Sequence, residues 1–121
     1  MTENRNSKPY DLEERTFAFA AAARSLVKRL PKTLANTEDG KQLIRSSGSV
    51  GANYIEANES LSKKDFVMRV KICRKEAKES WYWLGLINIT GPPELEDDLR
   101  CLMKEATELT SIFGAIVQKS K

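Results

Sequence analysis

The sequence contains no histidine, the side chain that most often serves proteins as a general base and as a metal ligand. Its absence excludes Ser-His and Cys-His nucleophiles, mixed Cys/His zinc sites and the Glu-x-x-His motifs of di-iron helical bundles. The two cysteines are also too few to form a zinc site of thiolates alone. We therefore expect no metal or other cofactor and no catalysis that depends on histidine.

Long apolar runs and a large net charge are missing as well. No run of apolar residues approaches the length of a membrane span, and residues 1–11 lack the apolar core of a secretory signal. We therefore expect a cytoplasmic protein without membrane contact, in which Cys73 and Cys101 are buried thiols; a disulfide is the alternative. The net charge of +3 excludes a strongly basic, histone-like nucleic-acid binder but leaves room for a local basic face.

The residues that are present favour helices. In four segments, apolar residues recur at alternating spacings of four and three, and no segment shows the alternation of a β-strand. Because the connections between these segments are short, we predict an all-α fold, an antiparallel up-down-up-down four-helix bundle. Residues 1–9 are predicted to be a disordered lead, and residues 10–119 a single domain. The predicted helices cover about residues 11–30, 37–60, 63–89 and 94–118.

Each predicted helix has a start signal and an apolar stripe. Asn36 or Thr37 is expected to cap the second helix, and Ser62 the third, where Asp65 completes an approximate capping box. The stripes of the first, third and fourth helices are Leu12, Thr16, Phe19, Ala23, Leu26 and Leu30; Phe66, Val70, Cys73, Ala77, Trp81 and Leu84; and Leu95, Leu99, Leu102, Ala106, Leu109, Phe113 and Ile116.

The second helix contains the glycine-rich run IRSSGSVGANYIEANE, from Ile44 to Glu59. A phosphate-binding loop is excluded because the run has neither a preceding strand nor a lysine followed by Ser or Thr after its last glycine. Within a helix, Gly48 and Gly51 each cost about 1 kcal/mol relative to alanine, which suggests close packing against a neighbouring helix. The residues predicted to face the core are Leu43, Ser47, Val50, Tyr54 and Ala57.

A polar line follows another face of the same helix. Arg45, Ser49, Asn53 and Glu56 are spaced by four, four and three residues, so their side chains share one face. The line is either a solvated stripe or a hydrogen-bonded network at a contact between helices or subunits. Buried groups of this kind need partners, since each missing partner costs roughly 1 to 3 kcal/mol.

The run from Ile44 to Leu84 resembles the four helix bundle protein family, whose founding members are encoded in intervening sequences of bacterial large-subunit ribosomal RNA genes. The family pattern has an Arg, then Ser-hydrophobic-x-x-Asn-hydrophobic-x-Glu-Gly, a Lys-rich turn, a Phe, and a helix with a central Glu. Ala57 stands here where the family usually has Gly. The matching positions are Arg45, Ser49, Val50, Asn53, Tyr54, Glu56, Phe66 and Glu79.

This resemblance covers about residues 10–118 and implies several properties. It implies a four-helix bundle that assembles into a ring-shaped homopentamer and has no catalytic activity. It also implies kinship with the accessory proteins of diversity-generating retroelements, which are basic pentamers that bind nucleic acid and a reverse transcriptase. The resemblance further favours the network interpretation of the polar line on the second helix.

Basic residues line one face of the third helix. Lys64, Lys71, Lys75 and Lys78 are spaced by seven, four and three residues, and Arg74 lies beside them. Such a line can follow a phosphate backbone, and repetition around a ring would strengthen its field. The alternative is a solvated helix face with local ion pairs. No motif for reading base sequence is present.

Three aromatic residues in a row follow the basic line. Adjacent helical residues point about 100° apart, so Trp81, Tyr82 and Trp83 cannot share one face. Trp81 belongs to the predicted core stripe. Tyr82 and Trp83 are predicted subunit contacts, and base stacking is the alternative. The sequence thus predicts a non-enzymatic oligomeric scaffold that binds RNA or DNA non-specifically; the alternative is a protein-interaction scaffold or accessory subunit without nucleic-acid contact.

Overall fold

The computed structural model describes residues 11–121 of the chain, and the predicted disordered lead at residues 1–9 lies outside them. The described residues form four α-helices and no strand. The helices are α1 (Leu12–Arg29), α2 (Leu34–Asn58), α3 (Lys63–Leu86) and α4 (Pro93–Lys119).

The four helices form an up-down-up-down bundle, as the sequence predicts. Each helix packs against the next, and α1 also packs against α4, which closes the bundle. Two of the three connections, at residues 30–33 and 87–92, lie at the same end of the bundle. The connection at residues 59–62 lies at the opposite end, together with the start of α1 and the end of α4.

The core follows most of the predicted stripes, although Val117 rather than Ile116 is the last buried residue of α4, and Phe66 and Leu99 are only partly buried. Every predicted stripe residue of α1 is buried, including Thr16, which is only 1% exposed. The Thr16 hydroxyl donates a 2.6 Å hydrogen bond to the carbonyl oxygen of Leu12, so the polar group is satisfied within its own helix. On α4, Phe113 is fully buried and its ring centroid lies 5.7 Å from that of Tyr54 on α2. Heptad spacing therefore identifies the core face of these helices.

The helix starts agree with the predictions in one case and differ in another. Ser62 caps α3 as predicted, because its hydroxyl oxygen accepts a 3.1 Å hydrogen bond from the Asp65 N–H. The predicted cap of α2 at Asn36 or Thr37 is wrong. The helix begins at Leu34, where the Thr33 hydroxyl oxygen accepts a 3.1 Å hydrogen bond from the Asn36 N–H.

Asn36 instead joins two connections at one end of the bundle. Its Nδ2 donates to the carbonyl oxygens of Pro31 and Asn88, at 3.1 and 3.0 Å, and its Oδ1 accepts from the Asn88 N–H at 3.1 Å. The side chain is buried. Just before Asn88, Ile87 is extended and buried, so α3 ends at Leu86 rather than at the predicted residue 89. Asn36 is therefore a tertiary link rather than a cap.

Close approach of α1 and α2 explains only one of the two glycines in the glycine-rich run. A Cβ at Gly51 would lie 2.9 Å from the Oγ1 of Thr16 and 3.2 Å from its Cβ, so the predicted close packing is confirmed there. A Cβ at Gly48 would meet nothing nearer than the Nη2 of Arg24, at 3.5 Å, which is ordinary van der Waals contact. The prediction is therefore wrong for Gly48.

The two cysteines are free and occupy different environments. Cys73 is buried, and burial raises the pKa of its thiol to about 12. Cys101 is exposed on α4, in a groove between α1 and α4, so the prediction of two buried thiols is wrong for this residue. Among the helices at residues 12–119, none combines the length and the apolar character needed to cross a membrane.

Candidate nucleic-acid interface

Positive charge is concentrated on α3. This helix contains seven basic and three acidic residues, whereas α4 contains three basic and six acidic residues. The charge of the bundle is therefore segregated between neighbouring helices, although the whole chain carries a net charge of only +3. A polyanion would experience a more favourable electrostatic potential over α3 than over α4.

Four of the five predicted cationic residues line one surface groove on α3, which has a volume of about 550 Å³. We call it the basic groove. The fifth, Lys64, lines an adjoining depression that shares Lys71 with the basic groove. Arg74 extends across α4, because a Cβ at Gly114 would lie 3.6 Å from its Nε. The residues that line the basic groove are Lys71, Arg74, Lys75, Lys78, Glu79, Trp81 and Tyr82.

The cations of the basic groove are almost free of ion pairs. Within residues 11–121, no carboxylate lies within 4 Å of the charged groups of Lys71, Arg74 or Lys78, and the same is true of Lys64. Lys75 has one distant contact, 4.0 Å from its Nζ to an oxygen of Glu76. These charges therefore remain available to a ligand.

Three arginines of α1 and α4, by contrast, are paired with carboxylates within the chain. Arg15 of α1 makes a bidentate contact with Glu105 of α4, at 2.7 and 2.8 Å, which raises the pKa of Arg15 above its ordinary value. Arg29 of α1 lies 2.8 Å from Asp98 of α4, and Arg100 lies 2.6 Å from Glu96 within α4. Part of the positive charge on these two helices is therefore engaged in ion pairs, whereas Arg24, Lys28, Lys104 and Lys119 have no carboxylate within 4 Å among residues 11–121.

Trp81 lies on the surface, and its predicted place in the core stripe is wrong. Its side chain is 45% exposed at one end of the basic groove. The core position belongs to Ser80, because after Ala77 the apolar stripe continues at spacings of three and four instead of four and three. The Ser80 hydroxyl lies 2.8 Å from that of Ser46 on α2 and donates to the carbonyl oxygen of Glu76 at 2.9 Å. The spacing in the sequence permits either order, and the structure places Ser80, with its hydroxyl contact to Ser46, rather than Trp81 in the core.

The other two aromatic residues differ in exposure. Tyr82 is 55% exposed, whereas Trp83 is half-buried and packs against the core. Their rings contact edge to face, with centroids 5.2 Å apart. In the part of the chain that the structure describes, no ring pair includes Trp81. Tyr82 is therefore supported by Trp83, while the Trp81 ring has no aromatic partner among residues 11–121.

The predicted polar line on α2 divides into two parts. Asn53 and Ser49 are half-buried: the Asn53 Nδ2 donates to the hydroxyl and to the carbonyl oxygen of Ser49, at 2.9 Å each. Arg69 on α3 completes this network by donating to the Asn53 Oδ1 at 3.0 Å. Arg45 and Glu56, at the ends of the line, are exposed. The network is thus a contact between α2 and α3, and its third member, Arg69, was not predicted.

The burial of Glu76 was also not predicted from the sequence. This residue of α3 is only 7% exposed, and its Oε1 is the one buried side-chain oxygen or nitrogen in residues 11–121 without a hydrogen-bond partner. Burial raises the pKa of its carboxyl group, and nearby Glu79 raises it further, while Lys75 and Arg45 lower it. The sequence signal was weak, because a glutamate beside a core alanine is usually exposed.

A second groove, between α1 and α2, is mostly apolar. Its volume is about 490 Å³, and Gly48, Gly51 and Ala52 form one of its sides. Phe17, which is 76% exposed, and Ile55 flank it. No group of three or more cysteine or acidic side chains in residues 11–121 is placed to hold a metal ion. The basic groove on α3 and this mostly apolar groove between α1 and α2 are both candidate binding sites.

Comparisons with known proteins agree with this fold. The chain is similar in structure to a protein with unknown function from the S23 ribosomal protein family of Bacteroides thetaiotaomicron VPI-5482. The two share 26% sequence identity over 87% of this chain and 96% of that one, with a TM-score of 0.70. No curated protein matches the chain significantly.

A protein-family model also matches the sequence of this chain. The model of the 23S rRNA-intervening sequence protein family matches residues 9–115, which include all of α1, α2 and α3 and most of α4. A match over nearly the whole bundle agrees with the resemblance carried by Arg45, Ser49, Asn53 and Glu56. The chain therefore belongs to the 23S rRNA-intervening sequence protein family.

Proposed function

We propose that this protein is a non-enzymatic, oligomeric scaffold that binds nucleic acid non-specifically through the basic groove of α3. The observation that carries the proposal is the cluster of Lys71, Arg74 and Lys78, whose charges lie in one groove without carboxylate partners among the described residues. Phosphate groups are the natural ligands of such a cluster, because lysine and arginine release condensed counterions when they neutralise phosphates.

Binding of this kind is independent of base sequence. Phosphate contacts fix the position of a protein on nucleic acid without reading bases. Lys75 and the neighbouring Lys64 extend the positive surface along the helix. The resemblance to basic, nucleic-acid-binding pentamers supports the same proposal.

The direct test is a titration of the intact protein with a fluorescently labelled oligonucleotide of about 20 nucleotides, a length suited to several phosphate contacts. We expect the double variant Lys71→Ala and Lys78→Ala to bind about tenfold more weakly, and to lose about two units from the slope of log affinity against log salt concentration. The matched control is the double variant Lys28→Ala and Lys104→Ala, which replaces exposed lysines on α1 and α4. We expect this control to bind like the wild type.

Two outcomes would overturn the proposal. One is the absence of binding by wild-type protein at micromolar concentration and low salt. The other is an equal loss of affinity in the control variant, which would mean that only net charge matters. If the protein instead captured a protein partner, and this binding persisted at high salt and in both double variants, the result would favour a protein-interaction scaffold.

We also propose that the protein assembles into a homopentamer. Exposed Phe17 and Ile55 beside the apolar groove support this, since large exposed apolar patches commonly mark protein contacts. Assembly would repeat the basic groove and make its potential stronger. Light scattering coupled to size-exclusion chromatography should give five times the chain mass of 13.7 kDa, and a monomer mass would contradict the proposal. Tyr82 and Trp83 are predicted to contribute to the contacts between subunits of this pentamer.

A further inference from the structure

We propose that the basic groove selects single-stranded nucleic acid, with Trp81 as the stacking platform for an unpaired base. This inference rests on the proposed function and adds a ligand class to it. The pertinent observation is the position of Trp81, which is 45% exposed and lines the same groove as Lys71, Arg74 and Lys78.

The register of α3 brings charge and ring together. Lys71, Arg74, Lys78 and Trp81 are spaced by three, four and three residues, so they form one stripe along the helix. The stripe is about 15 Å long, at 1.5 Å of rise per residue. A short stretch of backbone can therefore contact the cations while the base at its end reaches the ring.

The ring is available for stacking. Trp81 belongs to none of the ring pairs formed by residues 11–121, whereas Tyr82 is held edge to face by Trp83. Stacking on aromatic side chains accepts every base, because each base has a π-face. This tolerance matches a groove that has no means of reading base sequence.

Duplexes cannot use this platform in the same way. Their bases are already stacked and paired, so a protein ring reaches a base face only after the base is unpaired, at a cost of a few kcal/mol. Phosphate contacts, in contrast, are available in both forms. Trp81 should therefore contribute to single-strand binding alone, while the lysines contribute to both.

Substitutions at Trp81 test the inference in the intact protein. The probes are a labelled oligothymidine of about 20 nucleotides and a mixed-sequence duplex of the same length. We expect Trp81→Leu to weaken single-strand binding about tenfold, leave duplex affinity unchanged and preserve the salt dependence of both. Trp81→Phe, which retains a ring, should restore most of the single-strand affinity.

A spectroscopic measurement complements the affinities. Stacking on Trp81 should quench part of the tryptophan emission when oligothymidine is added, and Trp81→Phe should abolish this quenching although Trp83 remains. Trp83 is half-buried against the core and so serves as the internal control. Quenching that persists in Trp81→Phe would contradict the assignment.

The results separate this inference from the proposed function. If wild-type protein binds neither probe, both fail. If wild-type protein binds both probes and Trp81→Leu weakens the binding of neither, base stacking is wrong while the basic groove stands. Equal losses for both probes, or a lower oligomer mass in Trp81→Leu, would assign Trp81 to a structural or subunit contact and overturn the inference.

Discussion

At the scale of single residues, Glu76 gives the bundle a pH-dependent stability. Its carboxyl group is buried, and Oε1 lacks a hydrogen-bond partner among the described residues. Burial, and then Glu79, raise its folded-state pKa above the unfolded value. The folded state therefore holds the proton more tightly, and stability falls as pH rises from about 4.3, the ordinary pKa of glutamate, through the raised value.

The variant Glu76→Gln should remove this dependence. We expect it to be more stable than wild type by about 1 kcal/mol at neutral pH, because it no longer buries a carboxylate whose nearest cation, the Lys75 Nζ, is 4.0 Å away. Below the unfolded pKa, where Glu76 is protonated in both states, the two proteins should differ little. Thermal unfolding followed by circular dichroism near pH 4 and near pH 7 measures the difference.

The control for this prediction is Glu56→Gln, which changes an exposed carboxylate on α2. Its stability should follow that of the wild type at both pH values. Equal behaviour of Glu76→Gln and wild type across the pH range would mean that the carboxylate is solvated or paired in solution.

Whether a residue lies in the core was predictable from the sequence where several neighbouring residues indicate the same helix face. Thr16 was correctly placed in the core because five apolar neighbours on the same stripe surround it in sequence. Trp81 was misplaced because spacings of three and four fit the end of the α3 stripe in either order. The choice of Ser80 depends on its hydroxyl contact with Ser46, a partner 34 positions away that helical spacing cannot reveal.

At the scale of helices, the contact between α1 and α2 predicts opposite effects for two neighbouring glycines. Gly51→Ala places a Cβ 2.9 Å from the Thr16 hydroxyl oxygen, which is hydrogen-bonded to the Leu12 carbonyl oxygen, so the Thr16 side chain or α1 must shift. We expect a net loss of about 1 kcal/mol or more in the free energy of unfolding, since overpacking outweighs the gain in helix propensity.

Gly48→Ala is the matched control on the same helix. Its Cβ would meet only the Arg24 guanidinium at an ordinary distance of 3.5 Å, so the gain in helix propensity should remain. We expect an increase of up to about 1 kcal/mol in stability. Urea denaturation of both variants provides the measurement, and stabilisation by Gly51→Ala would disprove the close approach.

The sequence predicted that the four helices exist, but it predicted their first and last residues less well. Ser62 was recognised because the following Asp65 completes a local pattern, and both groups act within one turn. Thr33 was missed because Asn36 looked like an equally good cap. Asn36 is instead bonded to Asn88, on a connection 52 positions away, a contact that local patterns do not reveal.

At the scale of the whole molecule, the apolar groove between α1 and α2 gives a test of assembly. If a second copy covers it, Phe17→Ser should lower the oligomer mass measured by light scattering without loss of helical circular dichroism. Leu61→Ser is the control, because Leu61 is 99% exposed in the connection between α2 and α3 and lies outside the groove. An unchanged mass in Phe17→Ser would place the subunit contact elsewhere.

Charge segregation was predictable in part. Counting along the sequence identified α3 as basic and the start of α4 as acidic. It could not distinguish Lys71 and Lys78, which are free of carboxylates in the described structure, from Arg15 and Arg29, which are paired across α1 and α4. That distinction requires the packing of helices, because Arg15 and Glu105 are 90 positions apart.

The Asn36 link makes the two ends of the bundle unequal. It joins the connections at residues 30–33 and 87–92, whereas the connection at residues 59–62 lies at the other end, beside the start of α1 and the end of α4. Local opening starts where the fewest bonds cross between segments. Amide hydrogens in the connections at residues 30–33 and 87–92 should therefore exchange with solvent more slowly than those in the connection at residues 59–62, whose described hydrogen bonds are local.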